Sequence, residues 1–317
     1  MNFGNHITVA VCTYNRQHML GSALRSLLEL TPPPGHSYDI VVVDDASPDD
    51  TGAVVAQASS GAAVEVRYVR HARNVGVAAA RNTCVRHARG AWIAFFDDDQ
   101  LADADWLVNL RATAERTGAD CVAGPCVPVA SGRPLPLSIR RTVGDNPLLR
   151  HRRRGDSLDP RRWLNPMPTA VGTGNVLIRK MLFEKIGAFS ETLRRGEDME
   201  FFLRADRQGA KIVTAPDAII YHVVPEDRMT PEVLLSAATR GGAVRAEVEL
   251  SVLGVRTPLL FASLRIARLM IWTLPQLVAQ KIVDAGSSRL LGTRCAARFS
   301  LSYCNTVRQR VLSHRPQ

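Results

Sequence analysis

The sequence contains no run of about 18 uninterrupted apolar residues, so we expect no membrane-spanning helix. At the N-terminus there is no basic segment followed by an apolar stretch of signal length, which predicts a protein that is not secreted. The six cysteines form no CxxC pair, and several lie in apolar surroundings, as free thiols in a cytosolic core usually do. Together these absences predict a cytoplasmic protein.

Two common nucleotide-binding loops are also absent. The segment that follows the first apolar run, CTYNRQHML, has no glycine before Gly21, which argues against the glycine-rich turn of a dinucleotide-binding dehydrogenase. The sequence has no P-loop either. Aromatic residues are sparse among the arginines of residues 132–168, where Trp163 stands alone, so we expect no nucleic-acid partner.

The composition is that of an ordinary globular protein with a basic balance. Of its 317 residues, 46% are hydrophobic and 22% are charged, which excludes a disordered chain. A net charge of +10 suits an acidic partner such as nucleic acid, anionic lipid or a phosphorylated substrate. Charge alone does not choose among the three.

Apolar strand-like segments alternate with helical patterns over the first part of the chain. Strands are predicted at 7–13, 38–43, 64–69, 91–96, 120–129 and 169–178, and helices at 18–30, 75–89 and 105–117. Such alternation predicts an α/β fold, a parallel sheet with helices on both faces. From residue 231 to the end the pattern is helical, with breaks expected at Gly241-Gly242, near Pro258 and at Pro275.

Acidic residues follow two of these strands. The segment AWIAFFDDDQ runs a buried strand into Asp97, Asp98 and Asp99, and Asp44-Asp45 follows the second strand. Like charges at this spacing repel one another unless a cation or water screens them, so either a solvated acidic turn or a metal site is possible. Because ligands bind at the carboxyl edge of such sheets, the coincidence favours a site for a nucleoside diphosphate and Mg²⁺ or Mn²⁺.

An ordered set of motifs resembles one known family. The segments TYN, VVVDDASPDDT, RNVGVAAARN, FFDDD, TGNVLIRK, GEDMEFFLR and YHVVPEDR look like family 2 glycosyltransferases of the GT-A fold. Within that family the sequence is most similar to bacterial succinoglycan-type exopolysaccharide enzymes, over roughly residues 7–245. The resemblance implies a mixed, mainly parallel Rossmann-like sheet with a C-terminal helical extension.

The resemblance also implies a donor site for a sugar nucleotide. The choice of UDP as the nucleotide rests on the resemblance alone. Residues expected to bind the nucleotide or its sugar are Thr13, Tyr14, Asn15, Asp45, Arg81, Asp97, Asp98, Thr173, Gly174 and Asn175. The alternatives are a helix-capping role for Asp45, a solvated helix face for Arg81 and a strand bulge at 173–175.

Catalytic and metal roles are implied in the same way. Asp198 matches the general base of an inverting transfer, with Glu197 orienting it or binding the acceptor, although both acids would also suit a helix N-terminus. Asp99 is expected to contact the metal, with Asp97 and His222 as further contacts. A purely structural histidine is the alternative for His222.

The resemblance implies a catalytic domain over 1–230 and a helical region over 231–317. The first comprises a nucleotide-binding half (1–130), an arginine- and proline-rich insert (131–168) and an acceptor half (169–230). Residues 259–283 combine apolar stretches with Arg265, Arg268 and Lys281, which suits a helix on an anionic membrane surface or an ordinary core helix. A peripheral enzyme on the cytoplasmic membrane face, with a glycan or polyprenyl-linked acceptor, is the expectation.

Two other functions fit parts of this pattern. A nucleotidyltransferase shares the diphosphate and metal chemistry but gives no reason for the downstream GED. A non-catalytic protein that binds anionic lipid or nucleic acid would use the arginines but has no need of the acidic triplet.

Overall fold

The computed structural model describes residues 5–130, 133–134, 171–225, 228, 230–283 and 288–313. The chain divides into two compact units, Met1–Val127 with Arg152–Val223 and Pro128–His151 with Val224–Gln317. The domain limits expected from the sequence stay predictions, and the 131–168 insert lies outside the described residues apart from 133–134.

The first unit is built from alternating strands and helices. Its strands are β1 (His6–Thr13), β2 (Ser37–Asp44), β3 (Val66–Arg70), β4 (Trp92–Asp97), β5 (Gln100–Ala102), β6 (Cys121–Ala123), β9 (Asn175–Arg179), β10 (Ile212–Thr214) and β11 (Ile220–Val223). Its helices are α1 (Gln17–Leu28), α2 (Thr51–Ser59), α3 (Val77–His87), α4 (Trp106–Thr117), α5 (Met181–Ile186) and α6 (Glu197–Arg207). Strand β7 (Cys126–Ala130) carries the chain into the second unit and pairs there with β8 (Arg133–Pro134).

Seven strands form the main sheet, in the order β10-β6-β9-β4-β1-β2-β3. Strands β4, β1, β2 and β3 are mutually parallel, as are β6 and β10. Strand β9 runs antiparallel to both of its neighbours, β4 and β6. The mixed, mainly parallel α/β fold expected from the sequence is therefore confirmed.

Both faces of the sheet are buried, which explains the unbroken apolar character of its strands. In β1, Val9 and Val11 contribute to one hydrophobic cluster, which includes side chains of α1 and α4, while Ala10 contributes to the other, which includes side chains of α3 and α6. Strand β4 alternates in the same way, with Phe96 in the first cluster and Phe95 in the second. Each large side chain buried in this way contributes roughly 1.5–3 kcal/mol, so the strands are fixed from both sides.

Two strand predictions were wrong in detail. The single strand expected at 120–129 is two strands, β6 and β7, because Gly124-Pro125 interrupts it and proline cannot donate to a ladder. A side chain at position 124 would collide with the carbonyl of Ala218 and the amide of Asn175. The strand expected at 169–178 begins only at Asn175 and ends at Arg179, within the described part of the chain.

The second unit is largely helical where it is described. Its helices are α7 (Pro231–Leu253), α8 (Arg256–Arg268), α9 (Leu274–Val283) and α10 (Ser288–Ser313), with a π-helical turn at Leu269–Thr273 between α8 and α9. Among the described residues, one helical stretch, Arg256–Gln280, is long and apolar enough to cross a membrane by length and composition alone. A core helix of a soluble protein can have the same length and composition.

The helix break expected at Gly241-Gly242 was wrong. Helix α7 continues through both glycines and ends at Leu253, followed by Gly254 with a φ of 71°. A Cβ at position 242 would lie 3.1 Å from Cβ of Ser302 and would clash with the backbone of Phe299. Gly242 therefore serves the close packing of α7 on α10 rather than ending the helix.

Replacing Gly90 with alanine should destabilise the first unit. A Cβ at this position would lie 2.8 Å from the carbonyl carbon of His6 and 2.9 Å from the amide nitrogen of Thr8, which are backbone atoms that cannot rotate away. Overpacking of this kind costs about 1–3 kcal/mol, measurable as a lower midpoint in urea unfolding.

The matched control is Gly21→Ala in α1, where the new Cβ would meet Cγ1 of Val54 at an ordinary 3.5 Å. Because alanine favours helix over glycine by up to about 1 kcal/mol, this variant should be neutral or more stable. Equal stability of the two variants would contradict the packing argument.

Candidate active site

The ends of three neighbouring strands bring the expected donor residues to one edge of the sheet. In the parallel register, Thr13 at the end of β1 lies beside Asp44 of β2, and Cys12 lies beside Asp97 of β4. The backbone N–H of Asp45 donates to the carbonyl of Thr13 at 3.0 Å. Thr13, Asp45 and Asp97 thus occupy adjoining positions at the carboxyl edge.

A small antiparallel pair brings His222 to the acidic triplet. Strand β5 begins directly after the triplet and pairs with β11, which sets Gln100 opposite His222. The N–H of Val223 donates to the carbonyl of Asp99 at 2.9 Å. As a result, Nδ1 of His222 lies 3.2 Å from Oδ1 of Asp99, although 123 positions separate the two in sequence.

Arg16 is a site residue that the motif reasoning did not identify. Its Nη1 donates to Oδ1 of Asp98 at 2.9 Å and to Oδ2 of Asp99 at 2.7 Å. The only sequence signal is its position directly after TYN, in the turn that leads from β1 into α1. One guanidinium therefore offsets two of the three neighbouring carboxylates.

The three aspartates differ in how readily each is ionised. Burial raises the pKa of Asp97 to about 6, with Arg81 opposing and the two adjacent carboxylates adding to the rise. Burial also raises the pKa of Asp98, against the opposing charge of Arg16. For Asp99 burial is outweighed by His222 and Arg16, so its pKa falls below the ordinary value. Asp99 is therefore the member of the triplet held most firmly as a carboxylate.

Arg81 on α3 lies between the triplet and the start of α6. Its Nη1 donates to Oε1 of Glu197, and its Nη2 lies 3.8 Å from Oδ1 of Asp97. Burial lowers the pKa of Arg81, but the surrounding carboxylates outweigh it and raise the pKa overall. Burial and the neighbouring Asp198 raise the pKa of the buried Glu197. Glu197 is thus engaged by the guanidinium.

Asp198 is more open than Glu197. Its Oδ1 accepts from the N–H of Met199 at 2.7 Å, while its Oδ2 accepts no hydrogen bond from the residues that the structure describes. A Cβ at position 172 would lie 3.4 Å from that oxygen, so Gly172 leaves the space in front of it open. Of the two acids at the start of α6, Asp198 is the one with a carboxylate oxygen that accepts no hydrogen bond from the described residues.

The carboxylate of Asp45 orders the loop before α3. It accepts from Nδ1 of His71 at 2.7 Å, from the N–H of Val75 at 3.0 Å and from the N–H of Gly76 at 2.8 Å. Its remaining acceptor capacity lies on Oδ2, which takes only one of these bonds. His71, which the sequence reasoning did not identify, therefore positions an expected donor residue.

The turn after β1 presents Tyr14 to solvent. Asn15 has a φ of 53°, and its N–H donates to Oγ of Ser47 at 2.9 Å, so the turn is tied to the loop after β2. Tyr14 is 47% exposed, which leaves its ring free to stack against a planar ligand.

The residues of the TGN segment have different environments. Gly174 lies so close to the triplet that a Cβ there would be 2.6 Å from Oδ2 of Asp97 and 2.6 Å from Nε2 of Gln100. Thr173 is buried, and its Oγ1 has no hydrogen-bond partner in the described part of the chain. An orphaned buried hydroxyl at a sheet edge is the kind of group that a ligand satisfies.

Asn175 is held by the protein itself. Its Oδ1 accepts from Nε1 of Trp106 at 2.8 Å, and its Nδ2 donates to the carbonyls of Pro125 and Ala218, each at 2.9 Å. These bonds link α4 and two loops to β9, so the structure gives this side chain a packing role. The donor-binding role expected for Asn175 stays a prediction.

Comparison with known proteins identifies the family. Residues 8–187 match the model of "Glycosyl transferase family 2". The chain belongs to glycosyl transferase family 2. It is 31% identical to the succinoglycan biosynthesis protein ExoM of Rhizobium meliloti (strain 1021) over 75% of this chain and 73% of that protein. The chain is therefore a glycosyltransferase, similar to bacterial enzymes of polysaccharide biosynthesis.

Solved glycosyltransferase structures share its fold. Mannosyltransferase PcManGT from Pyrobaculum calidifontis, in complex with GDP-Man and Mn²⁺, has a TM-score of 0.59 at 18% identity and covers 98% of this chain and 88% of its own. S. aureus TarS 1-349 with UDP-GlcNAc has a TM-score of 0.55 at 20% identity, over 98% and 93%. Both likenesses support the GT-A architecture of this glycosyltransferase.

The residues at the sheet edge suit a divalent cation whose remaining ligands come from a substrate. Oδ1 of Asp99 is buried and, within the described part of the chain, has no aligned hydrogen-bond donor, even with His222 at 3.2 Å. No group of three or more histidine, cysteine or acidic side chains among the described residues forms a ready-made metal cage. Mg²⁺-type sites commonly use one or two carboxylates together with substrate phosphates and water, so this partial set fits.

Substitution of Asn175 with alanine should cost stability. The change leaves Nε1 of Trp106 and the buried carbonyl of Ala218 without their partner, at about 1–3 kcal/mol for each unsatisfied group, while the carbonyl of Pro125 keeps the N–H of Ile220. Asn109→Ala is the control, because that amide makes one exposed bond to the carbonyl of Asp217. Thermal unfolding should show a clearly larger loss for Asn175→Ala, and similar losses would contradict the packing role.

Proposed function

We propose that this glycosyltransferase is an inverting, metal-assisted hexosyltransferase with a nucleoside diphosphate sugar, UDP-linked, as donor. The acceptor is a hydroxyl of a glycan or of a polyprenyl-linked sugar. The observation that carries the proposal is the pair of carboxylates Asp99 and Asp198. Asp99 is buried beside Arg16 and His222, which lower its pKa, and Oδ2 of Asp198 accepts no hydrogen bond from the described residues.

The donor half of the site is assigned to the first unit. We assign Tyr14 to stacking on the base and Asp45 to an N–H of the base, with Thr13 and Asn15 shaping the turn that meets it. Arg81 and Asp98 take the diphosphate and ribose region, and Thr173 and Gly174 face the sugar. Support comes from the common edge of these residues and from the structural neighbours, which form complexes with GDP-Man and with UDP-GlcNAc.

Asp99 would hold the cation, with Asp97 and His222 as further contacts. A divalent ion, Mn²⁺ or Mg²⁺, would neutralise the negative charge that develops on the departing diphosphate. Five carboxylates at this edge (Asp97, Asp98, Asp99, Glu197 and Asp198) face the two guanidinium groups of Arg16 and Arg81. That negative excess is the electrostatic argument for the ion.

Asp198 would act as the general base of a single displacement. As the acceptor oxygen forms its bond to the anomeric carbon, the bond from that carbon to the diphosphate oxygen breaks. The acceptor proton passes to Oδ2 of Asp198, and the nucleoside diphosphate leaves with the electron pair. Glu197, bound to Arg81, would hold the start of α6 in place.

The two other functions weighed from the sequence are disfavoured. Membership of a glycosyltransferase family argues against a nucleotidyltransferase and against a protein without catalytic activity. The polysaccharide role in the name of the R. meliloti relative favours an acceptor in glycan assembly, with the enzyme in the cytoplasm or on the cytoplasmic membrane face.

Replacing Asp198 with asparagine should abolish transfer while the donor still binds. Loss of a general base lowers kcat by about 10²–10⁴-fold, and amide for carboxylate leaves the size of the side chain unchanged. Donor affinity, measured by calorimetry with the nucleoside diphosphate and Mn²⁺, should stay near that of the wild type. Glu184→Gln, at an exposed carboxylate on α5, is the control for a general charge effect.

Full activity of Asp198→Asn would refute the assignment of Asp198 as the general base. A loss of both activity and nucleotide binding would move Asp198 from catalysis to donor binding.

Cation-dependent stabilisation by one nucleotide should identify the donor class. UDP, GDP, dTDP and CDP are compared with and without Mn²⁺ in a thermal unfolding assay of the wild type and Asp99→Ala. A ligand at about 100 times its Kd stabilises by about 2.7 kcal/mol, which is a readable rise in Tm. We expect UDP with Mn²⁺ to give this rise and Asp99→Ala to remove it.

If a nucleotide other than UDP gives the rise in Tm, the metal-assisted transfer stands and only the nucleotide of the donor is corrected. If no nucleotide does so in either the presence or the absence of metal, the catalytic assignment fails.

A further inference from the structure

The stretch 255–278 of the second unit concentrates exposed apolar side chains. Ten of the seventeen large hydrophobic residues that are exposed in the described part of the chain lie in it. The most open of them, each at least 49% exposed, are Leu260, Ile266, Met270, Ile271, Trp272 and Val278. An apolar patch of this density on one helical stretch marks a contact surface.

The opposite side of the same stretch is packed within the unit. Phe261 and Ala262 belong to a buried cluster with Ala246 and Tyr303, from α7 and α10. The guanidinium of Arg265 lies 4.6 Å from the ring centroid of Tyr303 and 5.3 Å from that of Phe299. Arg265 therefore fits the core-helix alternative rather than a contact with lipid headgroups, because it stacks on aromatic rings inside the unit. The side chain of Lys281 lies outside the described residues.

The net positive charge of the chain comes almost entirely from a C-terminal segment that includes this stretch. Residues 250–317 hold ten lysines and arginines and a single acid, Asp284, whereas residues 1–249 hold 30 basic and 29 acidic residues. Almost the entire net charge of +10 therefore belongs to the last 68 residues. A basic region that carries an exposed apolar patch with a tryptophan has the composition of an interfacial anchor.

We propose that the 255–278 stretch docks on an anionic lipid bilayer and lies along its surface. The exposed side chains enter the boundary between headgroups and acyl chains, while the exposed Arg256 and Arg268 meet the lipid phosphates. A second copy of the chain fits less well, since two such faces would bring like charges together. Crossing the bilayer would strip the packed side of its partners and carry Arg265 and Arg268 into hydrocarbon.

This proposal is independent of the transfer reaction, because it concerns binding and uses residues of the second unit alone. The probe is sedimentation of the whole protein with vesicles of phosphatidylcholine and phosphatidylglycerol in equal parts, compared with phosphatidylcholine alone. We expect binding to the anionic vesicles, release by high salt or alkaline wash, and little binding to the neutral ones.

Two methionines provide a matched pair of variants. Met270 on the proposed surface and Met181 on α5 of the first unit are each 61% exposed, so neither substitution should disturb folding. Met270→Gln should weaken vesicle binding several-fold, and Ile271→Gln with Trp272→Gln by about tenfold or more, since the loss of a buried apolar side chain corresponds to roughly this factor. Met181→Gln should bind as the wild type does.

Tryptophan fluorescence gives an independent readout. Trp92 and Trp106 are buried, whereas Trp272 is 61% exposed, so anionic vesicles should shift the emission to the blue and Trp272→Phe should remove that shift. Equal binding to neutral vesicles, or an equal effect of the Met270 and Met181 variants, would overturn the proposal. Resistance to alkaline wash would indicate a crossing helix, and self-association that Ile271→Gln and Trp272→Gln abolish, without vesicle binding, would assign the surface to a second copy.

Discussion

The structure of the first unit depends on the concentration of carboxylates at one edge of the sheet. Asp97 ends strand β4, Asp98 and Asp99 follow it, and burial raises the pKa of the first two. Arg16 from the β1 turn and Arg81 from α3 offset part of this charge, and β11 brings His222 to the most acidic member. The chain thus gathers cationic groups from three elements around the triplet, yet with Glu197 and Asp198 beside Arg81 the carboxylates still outnumber them. A site with such an excess gains free energy from a bound cation.

The sequence was informative wherever one local pattern decides the outcome. Apolar runs predicted β1, β2 and β4, and because the carboxyl ends of parallel strands share an edge, the placement of Thr13, Asp45 and Asp97 at that edge followed. The break at Gly124-Pro125 was missed by the single-strand prediction for 120–129 although it was legible, because proline cannot donate within a ladder. The antiparallel direction of β9 was not, since an apolar run is the same in either direction. Arg16, His71 and the amide of Asn175 acquire their roles from partners between 26 and 83 positions away, and no local pattern encodes these pairings.

The two acids that begin α6 show how neighbours in sequence diverge in chemistry. Glu197 is buried and is engaged by Arg81, whereas Asp198 keeps one oxygen open beside Gly172. Successive residues on a helix point about 100° apart, so one acid can support the elements around it while the next faces a reactant. Gly174 acts in a similar way, because its lack of a side chain lets β9 approach Asp97. Gly172 and Gly174 allow charged groups to lie close to the backbone, and they also leave room for a ligand.

The position of β9 has a consequence for how the chain is made. In the sheet order, β6 and β10 join β4, β1, β2 and β3 only through β9. During synthesis β6 leaves the ribosome about 50 residues before β9 does, so the edge of β6 and the edge of β4 that pair with β9 are open until that strand arrives. In that interval the nascent chain presents two open strand edges, which are templates for pairing with other chains. Chaperone dependence should therefore peak late in synthesis, and truncation before residue 175 would yield an aggregating fragment rather than a smaller domain.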